Sequence, residues 1–222
     1  MRPAACISGV RLLATLAVAL ALSACSADEH SSSTERTTTQ TVAGECRPTT
    51  GGEAQGNATA PPDTPSFVKL GPGPDITPEE AAAEAPARRG ASLMLSGTVY
   101  AADCRTPLAG AVIEAWQTDA RGVYGPGQAG GKLRCCYLQG TVKTDSQGGY
   151  RIQTIRPGHY RGETTPPPAH IHLNVSHEEG GVLAEVVFAG DPYVSEDAEA
   201  VRLRTEGERL VGRFDIVLAD AS

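Results

Sequence analysis

The chain has 222 residues, with 19 basic and 26 acidic side chains and a formal charge of −7 at neutral pH. A net acidic surface argues against nucleic-acid binding, which needs a basic face to displace counterions from phosphates. It also argues against adhesion to anionic lipid through charge, so any membrane contact has to come from another source.

Arg2 and Arg11 flank a basic start, and residues 12–22 form an apolar run too short to span a bilayer. That pattern predicts a signal peptide over 1–24. Leu22-Ser23-Ala24-Cys25 places a small-residue cleavage site directly before a cysteine and resembles the lipobox of bacterial lipoproteins. The resemblance implies that Cys25 is the lipidated N-terminus and that the protein is extracytoplasmic, held on the cell membrane by its lipid. Ordinary cleavage after Ala24 is the alternative. Without Arg2 and Arg11 the chain keeps 17 basic against 26 acidic side chains, a formal charge of −9.

Residues 25–65 are rich in Ser, Thr, Gly, Pro and Ala. They lack the large apolar side chains that would offset ordering entropy, which predicts a disordered tether after the lipidated cysteine. Cys6 leaves with the signal peptide, and Cys46, Cys104, Cys135 and Cys136 remain as disulfide candidates in an oxidising compartment. A bond between the adjacent Cys135 and Cys136 would close a small ring, so each is expected to pair with Cys46 or Cys104.

Residues 66–90 form a short docking segment. Phe67, Val68 and Leu70 offer apolar contacts, and Thr77-Pro78-Glu79-Glu80 has the signature of a helix N-terminus. Thr77 is the expected cap, Pro78 the first helical residue and Glu80 the capping-box partner, and Pro86 ends the helix. From Ala91 the pattern is that of short strands: 93–101, 111–117, 141–144, 150–155, 169–176, 182–189, 201–204 and 211–218. Asp145-Ser-Gln-Gly-Gly149 is a turn signal predicting a hairpin between the third and fourth of these. Short strands with Gly/Pro punctuation predict an all-β sandwich of mainly antiparallel strands over 91–222, with one short helix before it.

The segment with most chemistry is Pro168-Ala-His170-Ile-His172. In a strand, alternate side chains share a face, so His170 and His172 point the same way and can chelate a metal. A complete site needs ligands from elsewhere, and Tyr124 and Tyr160 lie on loops where a phenol is free to reach one. Taken singly, each tyrosine also suits a packing role with its hydroxyl satisfied.

An ordered series of motifs carries a family resemblance. It comprises Leu95-Ser-Gly97-Thr-Val, Pro107-Leu-Ala-Gly-Ala111, Glu114-Ala-Trp116-Gln and Asp119-Ala-Arg-Gly122-Val-Tyr124. It continues through Thr144-Asp145, Gly148-Gly-Tyr150, Ile155-Arg-Pro157-Gly-His-Tyr160, Pro168-Ala-His170-Ile-His172 and Phe188-Ala-Gly190-Asp191-Pro192. In this order they resemble the intradiol ring-cleavage dioxygenases. The resemblance implies non-haem Fe(III) held by Tyr124 and His172 in equatorial places and Tyr160 and His170 in axial ones. It further implies a catechol-type substrate and O₂, with Tyr160 displaced by substrate and helping to accept its proton.

Two positions depart from the family's pattern. Pro167 stands where many members carry an arginine, and Glu185 where a glutamine is usual. Arg161 or Arg134 is the expected substitute cation, which makes Tyr160, Arg161 and Glu185 the catalytic candidates. The alternative function is a non-catalytic, transthyretin-like sandwich that keeps the metal site. A zinc site on the two histidines is disfavoured by phenolate ligands. The oligomeric state is left open.

Overall fold

The computed structural model describes residues 46–56, 58–84, 89–126 and 135–219. The signal segment, Cys25, Pro86 and Arg134 lie outside them. No helix among the described residues is long and apolar enough to cross a membrane.

Two sheets pack face to face. The four-stranded sheet is antiparallel and runs β4 (Leu138–Lys143), β3 (Val112–Gln117), β6 (His170–His177), β7 (Gly180–Val187). The other sheet runs β1 (Phe67–Lys69), β5 (Gly149–Ile155), β2 (Ser92–Tyr100), β9 (Arg209–Arg213), β8 (Arg204–Glu206), and β10 (Ile216–Val217) also pairs with β2. Within it, β1 runs parallel to β5, and β9 and β10 run parallel to β2, while β8 and β9 are antiparallel. Strand alternation sends Leu93, Leu95 and Val99 of β2 and Ile171, Leu173 and Val175 of β6 into one core, where all six are fully buried. The even-numbered residues of β6, including both histidines, therefore face away from that core.

The helix α1 (Pro78–Glu84) begins as predicted. The Thr77 N–H donates to Glu80 Oε2 at 3.0 Å, and the Glu80 N–H donates to Thr77 Oγ1 at 3.3 Å, closing the capping box.

The predicted hairpin at Asp145–Gly149 is corrected. The turn forms, with Asp145 Oδ1 accepting N–H bonds from Gln147 and Gly149 at 2.9 Å each. However, β4 and β5 lie in different sheets, so the turn is a corner that carries the chain from one layer to the other. The last two predicted strands also differ. Val201 makes only an isolated bridge to Phe188, β8 begins at Arg204, and 211–218 divides into β9 and β10 around Phe214.

The tether expected over 25–65 is corrected for its described part, which docks through backbone groups. Thr49 and Val217 exchange hydrogen bonds of 2.9 and 2.8 Å, and Gly52 pairs with Leu183 on the β7 edge. Asn174 on β6 accepts from the Gln55 N–H at 2.8 Å and donates to its carbonyl at 3.1 Å. Every residue supplies such groups, so a polar composition hides the docking.

The cysteine pairing is corrected as well. Cys46 bonds to Cys104, with their Cα atoms 5.8 Å apart, inside the span a disulfide bridges. Cys135 is paired with Cys136, whose connecting peptide bond is cis, so neither bonds to Cys46 or Cys104.

Register places the functional end. The start of β2 pairs with the end of β5, and the start of β6 pairs with the ends of β3 and β7. The loops that leave β3, β5 and β7 therefore gather beside His170 and His172.

Candidate metal centre

Tyr124 sits on the loop after β3, which is shaped by the buried Asp119. Asp119 Oδ1 accepts from the backbone N–H groups of Arg121 and Val123 at 2.8 and 3.1 Å, and Arg121 closes on Oδ2 at 2.8 Å. Tyr160 sits on the loop after β5, and the two loops pack backbone to backbone. The Gly158 N–H donates to Asp119 O at 2.9 Å, and Thr118 Oγ1 donates to Gly158 O at 2.8 Å. Gly122, at φ 78°, adopts a left-handed conformation, and a Cβ there would strike the His159 carbonyl. Only glycine lets the two tyrosine loops approach this closely.

The result is a closed ring of four donor atoms. Tyr124 Oη lies 2.8 Å from Tyr160 Oη and 2.9 Å from His172 Nε2. His170 Nε2 lies 3.0 Å from both Tyr160 Oη and His172 Nε2. All four residues named from the sequence therefore meet at one point. A ring of this edge has a centre about 2 Å from each corner, the usual bond length from a first-row metal to N or O. Tyr160 and His170 are neighbours on it, nearer than the about 4 Å expected for axial ligands on opposite sides of an ion.

Proton accounting favours a cation inside the ring. His170 Nδ1 is 2.7 Å from the Pro168 carbonyl, which can only accept, so the neutral imidazole carries its proton on Nδ1 and offers Nε2 as a lone pair. At most three protons then serve four contacts, even if His172 carries its proton on Nε2. A central cation removes the resulting lone-pair repulsion.

Burial and the neighbouring His170 push the His172 pKa down to about 4, so its imidazole is neutral and ligand-competent at neutral pH. Burial also raises the Tyr124 phenol, reinforced by its hydrogen bond to Tyr160. For Tyr160, burial again dominates, with carboxylates Glu185 and Glu163 adding to the rise. Neither phenol ionises unaided at neutral pH, so phenolate ligation needs a highly charged metal to draw the protons off.

Around the ring, Trp116 stacks on His172 from the paired position on β3, with centroids 5.0 Å apart. Glu185 stands opposite His172 on β7, its Oε1 3.7 Å from His172 Nδ1, a buried atom with no hydrogen bond. Arg161 is exposed beside Tyr160, and Pro167 is partly buried ahead of β6. His177, at the far end of β6, accepts the Glu179 N–H at 3.2 Å and takes no part in the site.

The sequence reading missed a connection between loops. The buried carboxylate of Asp191 lies 2.8 Å from His159 Nε2 and accepts the Ala169 N–H at 3.1 Å. Burial pushes Asp191 upward, but these bonds and the Tyr193 N–H outweigh it and leave its pKa below the usual carboxylate value. The sequence signals for it were Asp191's place in the Phe188–Pro192 motif and His159's place in the Ile155–Tyr160 motif.

The architecture and site define a β-sandwich protein with a cluster of two tyrosines and two histidines, a candidate metal centre, on the outer face of one sheet. A family model described as dioxygenase matches residues 63–221, and the chain belongs to the intradiol dioxygenase family. Over 123 residues it is 32% identical to catechol 1,2-dioxygenase of Acinetobacter baylyi, covering 49% of this chain and 39% of that one. It is also 32% identical over 124 residues to the protocatechuate 3,4-dioxygenase beta chain of Burkholderia cepacia, covering 50% and 51%. The matched region thus spans about half the length of these relatives, or less. The fold is similar to the dioxygenase domain of a dioxygenase–carbohydrate-binding protein fusion from Streptomyces sp. SirexAA-E. That match has a TM-score of 0.54 and 24% identity, and it covers 79% of this chain and all of that one.

Proposed function

We propose that this protein is an extracytoplasmic intradiol dioxygenase that opens catechol-type rings between the two hydroxylated carbons. Both atoms of O₂ enter the product, a diacid of the cis,cis-muconate type, so no external reductant is needed. The observation that carries this reading is the closed ring of Tyr124, Tyr160, His170 and His172.

The donor set fits Fe(III). Phenolates are hard anionic donors that stabilise the ferric state, and neutral imidazoles complete the set. When bound, ferric iron supplies Lewis acidity that draws electron density from a chelated catecholate and makes its ring reactive toward O₂. Tyr124 and His172 hold one side, with Trp116 fixing the plane of the His172 ring. Tyr160, on its loop, is the phenol placed to leave and take a catechol proton at its Oη. The Pro168 carbonyl keeps His170 in the tautomer that presents Nε2. Arg161, next to Tyr160 in the chain and exposed, is the cation we assign to offset charge developing on the substrate ring.

The export reading rests on the apolar run at 12–22 and on Cys25 as lipid anchor, and the Cys46–Cys104 disulfide supports an oxidising compartment. Pro167 and Glu185 favour a second reading, a metal-retaining binding module without turnover.

Iron-replete expression followed by visible spectroscopy and oxygen uptake separates the two. Iron–tyrosinate charge transfer gives a red-brown protein, and an enzyme consumes one O₂ per catechol. A coloured protein that leaves catechol and O₂ untouched is the binding module, and an iron-free, colourless one removes both readings.

A further inference from the structure

Asp191 is a buried carboxylate on an otherwise exposed turn, since Gly190 and Pro192 on either side of it face solvent. Its two oxygens gather three donors from three segments. Oδ1 accepts the Tyr193 N–H at 3.0 Å, and Oδ2 accepts the Ala169 N–H at 3.1 Å and lies 2.8 Å from His159 Nε2. A carboxylate cannot donate here, so the proton in the last contact is carried by His159. His159 directly precedes Tyr160, and Ala169 directly precedes His170.

We infer that Asp191, acting through the His159 imidazole, is a positioning residue that locks the Tyr160 end of its loop to Ala169, the residue directly before β6, and so fixes the Tyr160–His170 edge of the ring. This rests on the ligand set proposed above. The geometry supports it in two ways. The Tyr160 loop has no strand pairing of its own, because β5 ends at Ile155 and β6 begins at His170. Besides its backbone packing on the Tyr124 loop and the Tyr160–His170 contact itself, the His159–Asp191 contact ties it to the approach to β6 through the Ala169 N–H. His159 is also held from the outside, where Tyr193 packs edge-on with centroids 5.0 Å apart. A phenol that must leave its place when substrate arrives, and then return, needs a fixed backbone from which to swing. The clamp holds the neighbouring residue and leaves the Tyr160 side chain free.

The test uses the full chain, both iron-loaded and metal-free. Asp191→Ala strips partners from two backbone N–H groups and so disturbs folding as well as the clamp. His159→Ala is the sharper variant. The His159 side chain is 36% exposed, so its loss leaves Asp191's backbone contacts in place and shifts Tm by no more than about 3 °C. In the metal-free protein carrying ¹³C-labelled tyrosine and histidine, His159→Ala is expected to move the Tyr160 and His170 ring signals. Tyr150, buried in the core with its hydroxyl on the Phe214 carbonyl, serves as the unmoved reference. In the loaded protein, iron affinity falls by about tenfold to a hundredfold, as for other residues that orient a metal's ligands. His159→Gln, which still offers an N–H to Asp191, recovers most of both effects. Unmoved Tyr160 and His170 signals in His159→Ala overturn the inference whether or not iron binds. Signals that move in a chain whose wild type takes up no iron uphold the clamp and sink the metal reading instead.

Discussion

At the scale of single residues, charge near the ring sets what it accepts. Glu185 places a carboxylate across the strand from His172, and Glu163 adds to the negative field at Tyr160. At a separation on the order of 8 Å, one such charge acting on a substrate carboxylate costs about 2 kcal/mol at an effective dielectric of about 20. The Glu185 side chain is 57% exposed, and solvent screening reduces that to about 1 kcal/mol, or about fivefold in rate constant. Glu185→Gln is therefore expected to raise kcat/KM for carboxylated catechols about fivefold relative to neutral catechol. Arg161→Ala moves the same ratio the other way. Steady-state oxygen uptake with one neutral and one carboxylated substrate reads both, and a ratio that stays fixed in both variants refutes this account of the field. The histidines were legible because strand alternation alone puts His170 and His172 on one face. The tyrosines became legible through the ordered motifs, since nothing local says that loops 36 residues apart will close on one another. The Asp191–His159 contact spans 32 residues between two loops and left no periodic trace.

At the scale of elements, the strands of the core were readable because burial imposes alternation on them, as in β2, whose residues alternate between buried and partly exposed along its whole length. What the pattern could not say was which strand pairs with which. The turn at Asp145 has the chemistry of a hairpin, yet it joins two sheets, because pairing is decided by the core and not by the turn. The polar segment from Cys46 onward failed for the opposite reason. It docks without fully burying side chains, and Asn174 is one of its fastenings. One carboxamide satisfies both backbone groups of Gln55 and also donates to Glu114 Oε2 at 3.0 Å. Asn174→Ala is expected to cost about 1–3 kcal/mol, mostly from the polar groups left without partners. Limited proteolysis should then cut between residues 46 and 65 at least tenfold faster than in the wild type. Unchanged resistance to cleavage would mean that Gly52 and Thr49 hold the segment without it.

At the scale of the whole molecule, the sandwich separates chemistry from reinforcement. The ring lies where β5 ends and β6 begins, beside the start of β2. Cys104 follows the other end of β2, where Tyr100 bridges Pro107 and the chain approaches the start of β5. The Cys46–Cys104 bond therefore fastens the docked N-terminal segment at the end away from the tyrosine–histidine ring. It links residues 58 apart, and closing a loop of that length in the unfolded chain corresponds to about 4 kcal/mol in the chain-entropy model, with 2–4 typical of measured cases. Replacing both cysteines by serine should lower the free energy of unfolding by about 2–4 kcal/mol in a denaturant titration. The position of the visible absorption band of the iron-loaded protein should stay where it is, because no ligand-bearing loop touches the bond. A band that shifts with the disulfide would mean that the two ends are mechanically coupled through β2 and β5, and that the sandwich does not isolate its site from its staple.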